Sequence, residues 1–180
     1  MADRVRAAAA TTVALLALAM ASGASYGERA RSADEGHRPV QTKTVRLADP
    51  ELTVYATAFS FGANDPWVRM LPRSDSAAQV WVVTPHPGDG WAIVNRSTEG
   101  CVMLDLAGSL FGYVVQDRCT GRPHEAWEMR SIIGSDRVTF RNLAADRCLT
   151  RQPDDSADTR LRLFTCDGVR QDFRLVPGAP

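Results

Sequence analysis

The sequence predicts an all-β fold, a closed barrel-like unit of short strands built from three similar copies of about 45 residues each. Three observations carry this reading. Gln79-Val80-Trp81, Glu125-Ala126-Trp127 and Gln171-Asp172-Phe173 share one polar–any–aromatic pattern, and their aromatics recur at intervals of 46 positions. The four cysteines form two pairs of equal separation, Cys101 to Cys119 and Cys148 to Cys166, each 18 positions apart. Short runs of alternating polarity, separated by Gly, Pro, Asn and Asp, fill the space between these marks. A unit of this size cannot bury its own apolar face, whereas three around a pseudo-threefold axis can share one core.

The copies span about 45–90, 91–134 and 135–177, with four short strands expected in each. Trp91-Ala-Ile-Val-Asn opens the second copy and Val138-Thr-Phe-Arg-Asn the third. Each leads through a turn (96–100, 143–147) into a cysteine strand. A further turn precedes Tyr113-Val-Val-Gln or Leu161-Arg-Leu-Phe, which runs to the second cysteine. The last strand alternates, with Trp81 and Val83, Trp127 and Met129, and Phe173 and Leu175 on one face. Trp81, Trp127 and Phe173 are therefore expected in the core, one from each copy.

The fold is confined to 45–177. Arg4 and Arg6 precede an apolar run from Ala7 to Ala21, and Ala19-Met20-Ala21 and Ser22-Gly23-Ala24 both fit small-residue cleavage patterns. Residues 1–24 thus read as a signal peptide, too short and alanine-rich for a stable membrane span. Residues 25–44 are polar and lack periodicity, as a disordered lead-in does. Export to an extracellular or periplasmic compartment favours disulfides over metal. Of the three possible pairings only Cys101–Cys119 with Cys148–Cys166 respects the repeat. No close cysteine pair of the zinc type is present.

Lys and Arg together number 21 and balance 21 Asp and Glu, so the charge excess that favours nucleic acid is missing. No Ser-His-Asp spacing or carboxylate pair points to catalysis. His37, His86 and His124 are scattered. Asp154-Asp155-Ser-Ala-Asp158 lacks the ordered spacing of a calcium loop and reads as a solvated turn. Asn95-Arg-Ser matches a glycosylation sequon, a frequent chance match. No cofactor, metal or catalytic residue is expected.

Copy three reads Asn142-Leu-Ala-Ala-Asp-Arg-Cys148-Leu-Thr, then Leu161-Arg-Leu-Phe-Thr-Cys166-Asp-Gly, then Gln171-x-Phe173. Copy two reads Asn95-Arg-Ser-Thr-Glu-Gly-Cys101, Cys119-Thr-Gly and Trp127-x-Met129. This resembles the ricin-B-type lectin repeat with its Gln-x-Trp signature and one disulfide per repeat, and the resemblance implies a β-trefoil. Copy one lacks cysteines, and Val54 and Leu71-Pro72 are expected to stand in their places. Its Glu51-Leu-Thr-Val-Tyr-Ala-Thr-Ala, followed by Gln79-Val80-Trp81, is similar to the first repeat of the cytolethal distending toxin A and C subunits. Those subunits form the delivery half of a toxin whose nuclease is another chain.

The resemblance implies a secreted binding module for carbohydrate on a cell surface or polymer, or else a toxin delivery subunit that contacts partner chains more than sugar. Sugar pockets of such repeats usually carry an Asp two residues after the first cysteine, a stacking aromatic, and Asn with Gln before the signature aromatic. No copy has the full set. Copy three offers Thr150, Phe164, Arg170 and Gln171, and it is the expected site of any weak, roughly millimolar binding, about −4 kcal/mol in total. Copy two offers Met103, Asp117, His124 and Glu125, and copy one Ala56. A second candidate is an interaction patch formed by Tyr55, Phe59, Phe61 and Trp67.

Overall fold

The computed structural model describes residues 41–59, 66–105, 112–153 and 159–178. The signal peptide, all but the end of the lead-in, Phe61 and the Asp154–Asp158 turn lie outside them. The described chain contains twelve strands: β1 (Lys43–Ala48), β2 (Val54–Thr57), β3 (Arg69–Pro72), β4 (Trp81–Pro85), β5 (Trp91–Asn95) and β6 (Gly100–Leu104), then β7 (Val114–Arg118), β8 (Trp127–Ser131), β9 (Arg137–Asn142), β10 (Arg147–Thr150), β11 (Arg162–Phe164) and β12 (Asp172–Pro177). The first begins at Lys43, two residues inside the expected lead-in. There Thr44 and Val45 already pair with Val82 and Trp81.

Six strands close a ring. β1 pairs with β4, β4 with β5, β5 with β8, β8 with β9, β9 with β12 and β12 with β1, all antiparallel. The ring leaves these strands no free edge. Alternation decides which side of each strand faces in. In β9, Val138, Phe140 and Asn142 are buried while Arg137, Thr139 and Arg141 are partly exposed. The other six strands form three hairpins, β2–β3, β6–β7 and β10–β11, which cap one end of the barrel.

The hairpins are tied to one another around the axis by backbone bonds. The N–H of Val68 donates to Val114 O at 3.2 Å, Val114 to Leu161 O at 3.2 Å, and Leu161 to Val68 O at 2.8 Å. A second such cycle runs Met70 to Thr159, Gln116 to Pro66 and Leu163 to Gly112. Each copy thereby satisfies polar backbone that it could not satisfy alone.

Trp81, Trp127 and Phe173 are fully buried in one core cluster with Leu47, Ile93, Phe140, Leu149, Leu161 and Leu163. The two indoles also cap hairpin carbonyls. Trp81 Nε1 donates to Ala56 O and Trp127 Nε1 to Val102 O, both at 2.9 Å. Buried indoles need such acceptors. Phe173 has no donor and packs edge-on to Phe140 at 6.2 Å.

Disulfides join Cys101 to Cys119 and Cys148 to Cys166. Strand register corrects the reading of copy one. Ala48 pairs with Tyr55 as Val94 pairs with Cys101 and Arg141 with Cys148. Tyr55, not Val54, therefore takes the place of the first cysteine, and Thr57, not Ala56, lies two residues beyond it. The one-residue difference between the repeat intervals hid this offset. Asn95 is also settled, because its side chain is fully buried and donates to Ala78 O and Val80 O. In the folded chain it offers no glycosylation site.

Candidate functional site

One buried turn-lock recurs ahead of the signature aromatic. In copy three, Gln171 is 1% exposed. Its Nε2 donates to Thr165 O at 2.7 Å and Thr150 Oγ1 at 3.2 Å, and its Oε1 accepts from the Gly168 N–H at 2.9 Å. Thr150 in turn donates to Cys148 O at 2.8 Å. In copy one, Gln79 Nε2 donates to Pro72 O at 2.8 Å and Thr57 Oγ1 at 3.0 Å, and its Oε1 accepts from the Ser74 N–H at 2.8 Å. Thr57 donates to Tyr55 O. Buried amides need this full satisfaction.

Copy two solves the turn differently. Met103 stands where the threonine would, so an amide there would lack its hydroxyl acceptor. Glu125 instead accepts from the N–H groups of Thr120 and Gly121 at 2.9–3.0 Å and from the Thr120 hydroxyl. Burial alone would raise its pKa. The Thr120 hydroxyl, both N–H groups and the neighbouring His124 outweigh that and hold the carboxyl below its ordinary value.

Around the copy-three lock lies an open cleft of about 330 Å³, lined by Thr150, Arg151, Gln152, Pro153, Phe164, Thr165, Asp167, Val169, Arg170 and Gln171. The four residues singled out in the sequence, Thr150, Phe164, Arg170 and Gln171, are brought together here. Their roles divide. Thr150 and Gln171 are buried floor with their hydrogen bonds committed to the protein. Phe164 is 42% exposed and Val169 57%, so both present apolar surface to solvent at the cleft. Arg170 takes a left-handed backbone conformation, φ 53°, and its carbonyl accepts from the Arg151 N–H at 2.9 Å.

Three cleft residues were missed in the sequence. The Arg151 side chain is only 10% exposed and donates to Asp172 at 3.3 Å, a carboxylate that also receives Arg137 at 2.8 Å. Arg151 Nε and Gln152 Nε2 are buried with no hydrogen-bond partner among the described residues. Val169 contributes exposed apolar surface. Only the spacing of Gln-x-aromatic and cysteine was legible, and these three lie outside both patterns.

Among the described residues, copy two places Asp117 where copy three has Phe164. The groove beside Asp117 is lined by Thr98, Glu99, Asp117 and Arg118, with no aromatic ring.

Among the described residues, the members of the candidate interaction patch are not gathered on an exposed face. Tyr55 is 3% exposed. Phe59 is half-buried beneath Arg69, 5.6 Å from its ring centre, and Phe61 lies outside the described residues. Trp67 is half-buried against Tyr113 at 4.7 Å, and Arg160 lies 5.3 Å from its ring centre and 4.4 Å from that of Tyr113. Trp67, Tyr113 and Arg160 precede the three axial residues Val68, Val114 and Leu161, so this cluster closes the hairpin end of the barrel.

Residues 77–164 match the family model described as ricin-type beta-trefoil lectin domain-like. No curated protein matches the chain in sequence. Among solved structures, the designed threefold-symmetric protein ThreeFoil is 18% identical, with a TM-score of 0.64 over 74% of this chain and 97% of that one. The cytolethal distending toxin of Haemophilus ducreyi is 18% identical, with a TM-score of 0.63 over 77% of this chain and 85% of the matched chain. The ricin B-like lectin of Macrolepiota procera, solved with lactose, is 12% identical, with a TM-score of 0.61 over 75% and 95%. The chain has a β-trefoil fold, and within it residues 77–164 are similar to ricin-type lectin-like domains.

Proposed function

We propose that this chain is a secreted, non-catalytic binding module that recognises carbohydrate through the copy-three cleft. The observation that carries this is the Phe164 ring, exposed beside a floor whose polar groups are already satisfied. An aromatic face in solvent next to a preformed cleft suits the apolar face of a sugar ring. The two disulfides fit an oxidising compartment and so support secretion. The Macrolepiota procera lectin with lactose supports a glycan ligand by analogy of fold.

The test is a glycan array followed by NMR titration of the full chain. Binding is expected to shift resonances of Thr150, Thr165 and Arg170, and Phe164→Ala is expected to abolish the signal. Binding that persists in that variant would place the site elsewhere.

The second reading is a delivery subunit of a multi-subunit toxin. It is favoured by the two cytolethal distending toxin structures, of whose matched chains this one covers 85% and 93%. Co-elution with a co-encoded chain, without any glycan binding, would displace the lectin reading.

A further inference from the structure

Resting on the reading of this cleft as a glycan site, we propose that its ligand is an acidic sugar, one whose carboxylate or sulfate is met by Arg170 while its ring lies against Phe164. The argument comes from the polar groups that the fold leaves uncommitted. Thr150 and Gln171 spend their donors on the protein. Asp172 is shared between Arg137 and Arg151. Asp167 accepts from the Val169 N–H at 2.9 Å, which commits one of its oxygens to the turn. What remains is mostly donor. The Arg170 side chain makes no hydrogen bond or ion pair with a described residue, and Arg151 Nε and Gln152 Nε2 are buried donors without partners.

Charge points the same way. The described residues that line the cleft include two arginines, Arg151 and Arg170, and one carboxylate, Asp167, which leaves one positive charge in excess among them. A neutral sugar offers hydroxyl donors and is best met by a carboxylate acceptor. A cleft rich in unspent N–H groups is instead matched by a ligand that brings anionic oxygens, through charge-assisted hydrogen bonds.

The probes are 3′-sialyllactose and a glucuronate disaccharide for carboxylate, galactose 6-sulfate for sulfate, and lactose as the neutral control, each titrated into the full chain. At least one anionic probe is expected to bind about tenfold or more tightly than lactose, and to weaken with added salt as exposed charge contacts do. Which arm responds identifies the anion. Arg170→Asn should remove that preference and Arg170→Lys should retain part of it. Asn tolerates the left-handed backbone at this position, so the turn is kept.

Equal affinity for lactose and the anionic probes, lost together in Phe164→Ala, would overturn the acidic-sugar inference and leave the glycan site standing. Absence of binding to every probe and array glycan would overturn both.

Discussion

The turns ahead of Trp127 and Phe173 occupy the same place in the fold and are held by opposite chemistry. Copy three uses a neutral amide, Gln171, leaning on the Thr150 hydroxyl. Copy two uses a carboxylate, Glu125, with Met103 where that hydroxyl would be. Copy one repeats the copy-three solution with Gln79 and Thr57. The pairs change together: threonine with glutamine twice, methionine with glutamate once. The residue before the aromatic therefore answers first to the turn that it closes. Ligand chemistry must be sought in the layer outside the lock, where copy three has Phe164 and Arg170 and copy two has Asp117 and His124.

The two copies should be equally intolerant of losing their core aromatic. Trp127→Ala and Phe173→Ala are each expected to cost roughly 3–5 kcal/mol in denaturant unfolding, as large-to-small core changes do. A loss below about 1 kcal/mol at either would show that the copies do not share the core equally. Next in size come the bridges. Replacing both cysteines of either pair by serine should cost about 3 kcal/mol, set by the similar loops they close. Copy one does without a bridge because Tyr55 fills the first-cysteine position as a buried side chain.

The lock itself gives the sharper contrast. Glu125→Gln replaces one acceptor oxygen with an amide facing donors and should cost about 1–3 kcal/mol. Met103→Thr supplies the hydroxyl that the amide uses in the other copies. The double variant should therefore be more stable than the sum of the single changes predicts, measured as a double-mutant cycle. Strict additivity would mean that the two positions are not coupled.

Acid should separate the copies too. Asp49 closes a turn of copy one. Burial would raise its pKa, but hydrogen bonds from Val54 and Thr53 hold the carboxyl below its ordinary 3.8. Glu125 is likewise held below 4.5. Both folded values are depressed, so their contribution is complete above about pH 5 and is lost as pH falls through those lowered values. Glu125→Gln and Asp49→Asn should each flatten the acid limb of a stability–pH curve, whereas Gln171→Ala should destabilise the protein without changing that slope.

Much of this was legible in residue spacing, because closure around an axis demands equivalent residues at equivalent places. The twelve strands and both bridges follow from it, whereas the grouping of Thr150, Phe164, Arg170 and Gln171 came from the resemblance to ricin-type repeats. Tyr55 and Thr57 were misplaced by one residue in copy one, where no cysteine marks the register. Arg151 and Gln152 left no periodic trace, and Trp67, Tyr113 and Arg160, although they recur at intervals of 46 and 47 positions, differ in residue type and so were not read as equivalent. Their contacts cross between strands or copies that only the folded chain brings together.

The smallest stability effect belongs to the residue on which the proposed function depends most. Phe164 pairs across the hairpin with Cys148, as Asp117 pairs with Cys101, so this position points away from the barrel core in both copies. Its ring is 42% exposed, unlike the buried Phe140 and Phe173. Phe164→Ala should therefore shift unfolding free energy by no more than about 0.5 kcal/mol. Asp117→Phe, which transfers the ring to copy two, should be similarly neutral. It should also fail to create binding there, since copy two has His124 in place of Arg170. A gain of glycan binding in Asp117→Phe would mean that the aromatic alone makes the site. A large stability loss in Phe164→Ala would mean that the ring holds the hairpin together, and that its exposure beside the cleft is incidental to binding.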